Sequence, residues 1–292
     1  MQKEVQSIKL ARFGEPGNEK PALINGSSDL VDLSSFGEDF NESFFATNGI
    51  SRLKNWLSVN QVKCPVVKKP YRLASCVARP SKIVGIGLNY TKHAQESGLP
   101  IPKEPIVFMK STTCLCGPND DMIIPPGAVK MDWEAELAIV IGKKASYVRE
   151  EEAREYIAGY SIMNDYSERE NQIERGGTWD KGKSADTFGP MGPYLLAPDK
   201  NFNPQTLRIW LKVNDEIVQD SNTADMIFNV YKIVSYVSQF MTLLPGDIIA
   251  TGTPAGVGFG FKPPRYLKAG DRVELGIDSL GNQIQLAVSY SN

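Results

Sequence analysis

Residues 131–145 read MDWEAELAIVIGKKA, and the pattern changes halfway along. Polar and apolar side chains alternate at first, with a period of two; from Leu137 to Ile141 every side chain is apolar. That is how a strand reads when it passes from the rim of a site into a core. Glu134 and Glu136 stand two apart at its mouth, so both point to one face. Their Cα atoms would lie roughly 6.5–7 Å apart, close enough for both carboxylates to converge on one hard cation. Most Glu-x-Glu pairs end instead on a solvated strand face, since Glu is rarely buried unpaired. The apolar continuation is what favours the buried alternative. A third carboxylate, Asp165, closes the strand-like YSIMNDYS (160–167) beside a loop, a common place for ligands and catalytic groups. Three carboxylates with waters and substrate oxygens would fill an octahedral Mg²⁺ shell. By itself the triplet does not decide between a metal site and an acidic surface.

Outward from this stretch the chain is dense in short strands and turns. KIVGIGLNY (82–90) and PIVFMKS (105–111) read as strands, and GPNDDMIIPPG (117–127) as loop, strand and loop. LRIWLKVNDEIVQD (207–220) predicts a hairpin with Asn214-Asp215 at its tip. REEEAREYIAGYSIMNDYS (149–167) opens helical and ends as a strand. FNVYKIVSYVSQFMTL (228–243) is the clearest helix, with Ile233, Val237, Phe240 and Met241 at helical spacing and Leu244 continuing it. PGDIIATGT (245–253) and GDRVELGI (270–277) are strands after tight turns. Many strands and few helices predict a mainly β, α+β fold. Residues 1–60 look like a small irregular unit with strands in SIKLARFG and KPALING and a helix in NGISRLKNWL. A Pro- and Lys-rich segment follows, so we place a small N-terminal domain and linker at 1–78 and the main domain at 79–292.

The balance of 32 Lys and Arg against 34 Asp and Glu, net charge -2, gives no sign of a nucleic-acid or anionic-membrane partner. Apolar runs such as ELAIVIG are too short to span a bilayer, and MQKEVQSIKLARFG lacks the apolar core of a secretory signal. Cys64, Cys76, Cys114 and Cys116 match neither C-x-x-C nor a zinc ribbon, which predicts reduced, packed thiols in a cytoplasmic protein. His93 is the one histidine, so a multi-imidazole zinc site cannot form within one subunit. A divalent metal would rely on carboxylates. His93 and Glu96 are three apart in NYTKHAQESG (89–98), a spacing at which carboxylate and imidazole can hydrogen-bond on one helical turn. Such a dyad can take a proton from water; more often a helical His beside Glu is a surface pair.

Two motifs mislead. GTWDKGKS (177–184) satisfies the P-loop pattern G-x-x-x-x-G-K-[ST] at every position. A P-loop needs an apolar strand before it and a helix starting at its Lys-Ser. Here polar YSERENQIERG precedes it, and Gly189, Pro190, Gly192 and Pro193 follow. GIGLNY (85–90) lacks the third glycine of a dinucleotide fingerprint, because Tyr90 stands there.

GIGLNYTKHAQESG, EPIVFMKS, DWEAELAIVIG, AGYSIMNDYSERENQ, KGKSADTFGPMGPYL and GDIIATGTPAGVG occur in the order and spacing of the fumarylacetoacetate hydrolase superfamily, which the chain resembles over about 82–276. The resemblance implies a mixed β-roll catalytic domain, usually in a homodimer, with a Mg²⁺- or Mn²⁺-dependent site. It implies Glu134, Glu136 and Asp165 as metal ligands, His93 with Glu96 as the water-activating dyad, and Lys183 as the active-site lysine. Arg169 and Gln172 match substrate contacts, and Lys110 and Thr253 match positions that support or bind the substrate. Leu88 departs from the Arg that some acylpyruvate-cleaving members carry. Within the superfamily, KGKSADTFGPMGPYL and FGFKPPRYLKAGDRVELGI look most like hydrolases of 2,4-diketo-3-deoxy sugar acids from L-rhamnonate or L-fuconate. The partner implied is thus a small 2-oxo or 2,4-dioxo acid. Rival expectations are an oxaloacetate decarboxylase or tautomerase, an acylpyruvate hydrolase, and a 2-oxo acid binding protein without turnover.

Overall fold

The computed structural model describes residues 7–291; residues 1–6, part of the stretch read for a secretory signal, and residue 292 lie outside them. Strands β1 (Ile8–Phe13), β2 (Lys20–Ile24) and β3 (Leu30–Asp32) form an antiparallel meander. Helices α1 (Glu42–Ala46) and α2 (Gly49–Asn60) follow, the first capped by the Asn41 side chain, which accepts from the Phe44 N–H. The chain returns to β1 through β4 (Leu73–Ala74). Next come β5 (Ile83–Gly87), α3 (Thr91–Glu96), β6 (Ile106–Lys110), β7 (Leu115–Cys116) and β8 (Met122–Ile124). The opening stretch supplies β9 (Met131–Asp132) and β10 (Ala135–Ile141). After β11 (Ile157–Asn164), β12 (Ser167–Glu168) and α4 (Asp180–Lys183) lie β13 (Gly189–Ala197), β14 (Arg208–Val213) and β15 (Glu216–Asn222). Helix α5 (Val230–Val237), β16 (Ile248–Ala250), β17 (Arg272–Ile277) and β18 (Gly281–Ser289) complete it.

The main sheet has eleven strands in the order β3-β2-β1-β13-β11-β10-β16-β5-β6, with β4 beside β1 and β7 beside β13. A five-stranded sheet, β15-β14-β17-β18-β8, packs its β14, β17 and β18 against β10, β11 and β13. The pairing is antiparallel except for β5–β16, β7–β13 and β8–β18. All seven residues of β10 are buried, as its apolar run requires when both faces are covered. The mainly β, α+β expectation therefore holds. The Asn214-Asp215 tip also forms as expected, both residues taking the positive φ of a two-residue hairpin turn.

The helix expected to run to Leu244 ends at Val237, and Phe240 is exposed. Ser238 accounts for the stop: its hydroxyl donates to the Ser235 carbonyl at 2.7 Å and accepts from the Val148 N–H at 2.9 Å, competing with the helix ladder. Beyond it Leu243 pairs with Ala145 instead. The acidic segment Glu150–Tyr156 is a 3₁₀ helix. Strand β1 pairs with β13 through Ile8–Ala197, Lys9–Leu196 and Leu10–Leu195, so the main sheet continues across residue 78. Among the described residues no helix is long and apolar enough to cross a membrane.

Candidate metal centre and active site

Strand register assembles the acidic residues. Pairing of β10 with β11 sets Ala135 opposite Asn164 and Glu136 opposite Met163. One step further, the Asp165 N–H donates to the Glu134 carbonyl at 2.9 Å. Residues directly opposite across an antiparallel pair share a face, so Asp165 joins Glu134, and Glu136 follows by the period of two. One carboxylate oxygen from each lies within 4.8 Å of the others, and all three residues are buried.

Three cations surround them. Lys183 Nζ, at the end of α4, donates to Glu134 Oε2 at 2.7 Å and to Asp165 Oδ2 at 2.9 Å. Lys110 Nζ, at the end of β6, donates to Asp165 Oδ1 and to the Lys183 and Phe188 carbonyls. Arg169 Nη2 is 2.8 Å from Glu134 Oε1, Nε donates to Asp132 Oδ2 at 2.8 Å, and Nη1 donates to Gln172 Oε1 at 2.8 Å. Burial works to raise the Glu134 carboxyl, but the charges of Lys183 and then Arg169 outweigh it and bring it to about 2. Glu136 is the exception. It accepts the Gly252 N–H at 2.8 Å and, among the described residues, forms no ion pair. Burial, then the neighbouring charges of Asp165 and Glu134, pushes its carboxyl well above the usual range.

Four buried carboxylates (Asp132, Glu134, Glu136 and Asp165) thus meet three buried permanent cations (Lys110, Arg169 and Lys183). Glu134, Glu136 and Asp165 repel one another at this separation, and a divalent ion bound among them would offset that repulsion and favour the ionised form of Glu136. The donors are hard oxygens, which suit Mg²⁺ or Mn²⁺, and the residues fit such an ion.

The dyad reaches the same place from α3. His93 Nδ1 lies 2.8 Å from Glu96 Oε1, and the Gly256 N–H donates to Glu96 Oε2 at 2.9 Å. With its carboxylate so held, Glu96 meets the Nδ1 side of the imidazole and leaves Nε2 on the other side of the ring. His93, Glu134, Glu136, Arg169, Lys183 and Thr253 line one cavity of ≈ 280 Å³, and Gln172 borders it beside Arg169. Thr253 Oγ1 donates to the Ala135 carbonyl at 2.9 Å and accepts from Gln219 Nε2 at 2.8 Å, which fixes it on the cavity wall. Lys110 is placed differently: it is buried behind Asp165 and does not line the cavity. Asp165 is thereby held between two ammonium groups.

Leu88 also lines the cavity, at φ 53°, a conformation unusual for a branched side chain. The next residue locks it there. Asn89 Nδ2 donates to the Thr251 and Phe228 carbonyls, and Asn89 Oδ1 accepts the Phe228 N–H.

The misleading glycines serve packing. A Cβ on Gly85 would lie 2.1 Å from Phe108 Cζ, and one on Gly87 would lie 2.4 Å from Trp179 Cζ3. Phe108 and Trp179 stand against each other, ring centroids 5.4 Å apart, as one wall of the cavity. The P-loop look-alike contributes Trp179 and Lys183, and its single helical turn ends at Lys183 where a P-loop helix would begin.

Asp132 is a residue of the buried cluster that sequence reasoning passed over. It is fully buried, and besides Arg169 it accepts the N–H groups of Trp133, Gly258 and Phe259. It ties the 256–261 loop to the guanidinium. Its place in the DWE triplet was the available signal, but two of those partners lie more than a hundred residues away.

Known proteins resemble the chain along its length. The model of the fumarylacetoacetate (FAA) hydrolase C-terminal family matches residues 82–286. A presumed hydrolase of Burkholderia multivorans is 50% identical over 280 residues, covering 96% of this chain and 98% of its own. The fumarylacetoacetate hydrolase of psychrophilic Exiguobacterium antarcticum superimposes with a TM-score of 0.83 at 30% identity, over 97% of this chain and 100% of that one. Maleylpyruvate hydrolase from Sphingobium sp. SYK-6, in complex with manganese (II) ion and pyruvate, gives a TM-score of 0.79 at 28% identity, again over 97% and 100%.

Proposed function

The chain belongs to the fumarylacetoacetate hydrolase family, and from that premise we propose that it is a Mg²⁺- or Mn²⁺-dependent hydrolase that cleaves a carbon–carbon bond in a 2,4-diketo acid. The resemblance of 181–195 and 259–277 to sugar-acid hydrolases favours 2,4-diketo-3-deoxy-L-rhamnonate or L-fuconate as substrate, with pyruvate and lactate as products. The observation that carries the proposal is the meeting of two devices at one cavity: a buried acidic triad, of which Glu134 and Glu136 line the cavity, and the buried imidazole of His93, which also lines it and is backed by the half-buried Glu96.

When bound, the divalent ion supplies a Lewis acid for the oxygens of the 2-oxo acid head. Glu134, Glu136 and Asp165 would hold it. With Nδ1–H directed at Glu96, the Nε2 of His93 is the free base that takes a proton from water. That water adds to the C4 carbonyl, the C3–C4 bond breaks, and its electron pair leaves on the pyruvate half as an enolate that is then protonated. The other half departs as a carboxylic acid. The Lys183 ammonium, on the cavity wall beside Glu134, offers a donor to the developing negative charge. Thr253 and Gln172 orient the head.

The test is turnover of a panel of 2-oxo and 2,4-dioxo acids with Mg²⁺ or Mn²⁺ and identification of the products. Two acids in equal amounts are expected, with His93→Ala at least ~100-fold slower. Carbon dioxide from oxaloacetate, with every dioxo acid intact, would instead identify a decarboxylase.

A further inference from the structure

The cavity has two chemically distinct ends. Its floor is polar and buried: Glu134, Glu136, Arg169, Lys183 and Thr253 are each at most 5% exposed. Its rim is apolar and open: Leu99, Ile173 and Phe259 are 48%, 49% and 38% exposed, and Leu88, Phe108 and Trp179 continue the same lining inward. Every charged side chain that lines the cavity is on the floor or is His93, and both floor cations are engaged by carboxylates. A second carboxylate at the far end of a substrate would find no cation among the described residues that line the rim, and, drawn inward against Leu88, Phe108 and Trp179, it would lose water. A methyl or methylene group would gain from the same surroundings.

Resting on the proposed 2-oxo acid chemistry, we infer that the distal half of the substrate is uncharged and ends in an apolar group, and that Leu88, Leu99, Phe108, Ile173, Trp179 and Phe259 select it. The ligand class is a 2-oxo or 2,4-dioxo acid with one carboxylate, at the head. Ser97, the one uncharged hydroxyl near the rim besides Thr253 on the floor, leaves room for a single hydroxyl on the distal half. A terminal methyl beside one hydroxyl meets this description; a dicarboxylate does not.

The Mg²⁺-loaded protein is titrated calorimetrically with 2-oxohexanoate and with 2-oxohexanedioate, six-carbon acids that differ in a terminal methyl against a terminal carboxylate. The methyl-ended acid is expected to bind at least about tenfold more tightly. Ile173→Lys changes a half-exposed rim residue outside the catalytic groups. It should tighten the dicarboxylate several-fold and weaken the methyl-ended acid, since Ile173 is one of the side chains that select the apolar end, so that the preference narrows or reverses. Equal or tighter binding of the dicarboxylate to the unaltered protein overturns the inference. Turnover of two 2,4-dioxo acids with the same two ends, measured alongside, separates it from the proposed reaction. Cleavage that prefers the dicarboxylate overturns the inference alone. Selective binding of the methyl-ended acid without any cleavage supports the inference and overturns the reaction. If neither oxo acid binds, both fall.

Discussion

At the scale of single residues, the site depends on how much room and charge each position is given. Gly87 is small because Trp179 occupies the space its Cβ would need. Gly87→Ala should cost about 1–3 kcal/mol by overpacking and displace the indole, lowering kcat/KM about tenfold; thermal unfolding and tryptophan fluorescence together check it. Asp132 holds Arg169 and three backbone N–H groups. Asp132→Asn keeps the shape and removes the charge, so the buried guanidinium loses one of its two carboxylates. A loss on the order of 3 kcal/mol is expected in denaturant titration, with KM rising because Arg169 and Phe259 both loosen. Glu134 and Glu136, two apart, and His93 and Glu96, three apart, were legible in the sequence as local candidates, whereas Asp165 stands in a separate stretch and the roles of all five were what the family resemblance implied. Asp132 was not legible as a hub, since hydrogen bonds to Gly258 and Phe259 have no local signature. Nor was the purpose of Gly85 and Gly87, whose aromatic neighbours arrive from β6 and from the segment before α4.

Elements set the geometry that residues alone cannot. The triad exists because β10 and β11 pair with Glu134 opposite Asp165; a slip of one residue would send Glu134 and Glu136 to the other face. The apolar run 137–141 fixes that register, and this is why the stretch favoured a buried face for the Glu pair, while the metal site itself was an expectation from the family resemblance. Helix α5 was legible in its first two turns and not at its end, because Ser238 terminates it through a contact with Val148 from another segment. The unequal pairing within the triad yields a prediction with two signs. Glu134→Gln strips charge from Lys183 and Arg169 and should destabilise the metal-free protein by several kcal/mol. Glu136→Gln removes the one carboxylate without an ion pair and should leave the metal-free protein at least as stable. Both should abolish the rise in melting temperature that a divalent ion gives, worth about 2.7 kcal/mol at a hundredfold excess over Kd. Scanning calorimetry with and without Mn²⁺ reads all of it.

At the scale of the molecule, the question is whether the chain unfolds as one body. The thiol of Cys76 is fully buried against Ser161 of β11, and burial pushes it up to about 11. A thiol raised in the fold stabilises fully below its ordinary value of 9.0 and loses that contribution as pH climbs through about 11. The loss is roughly 2–3 kcal/mol at 1.36 kcal/mol per unit, and Cys76→Ala should flatten this alkaline limb of stability. Composition and patterning read the first 78 residues as a separate unit, because their turns are polar and a Pro- and Lys-rich segment follows. Pairing says more than composition here. β1 completes the edge of β13, and Leu10 and Ala11 of β1 are buried in the same core as Leu195 of β13 and Ile162 of β11. Cutting the chain at 78 would bare the β13 edge and its apolar neighbours, the condition under which sheets aggregate. The fragment 79–292 is therefore expected to be insoluble or to melt well below the whole chain. In the intact protein, Trp56 on α2 and the far-ultraviolet signal of the sheets should report one coincident transition. Two separated transitions, or a soluble 79–292 fragment with unchanged melting, would mean that the continuous sheet contributes little across that boundary.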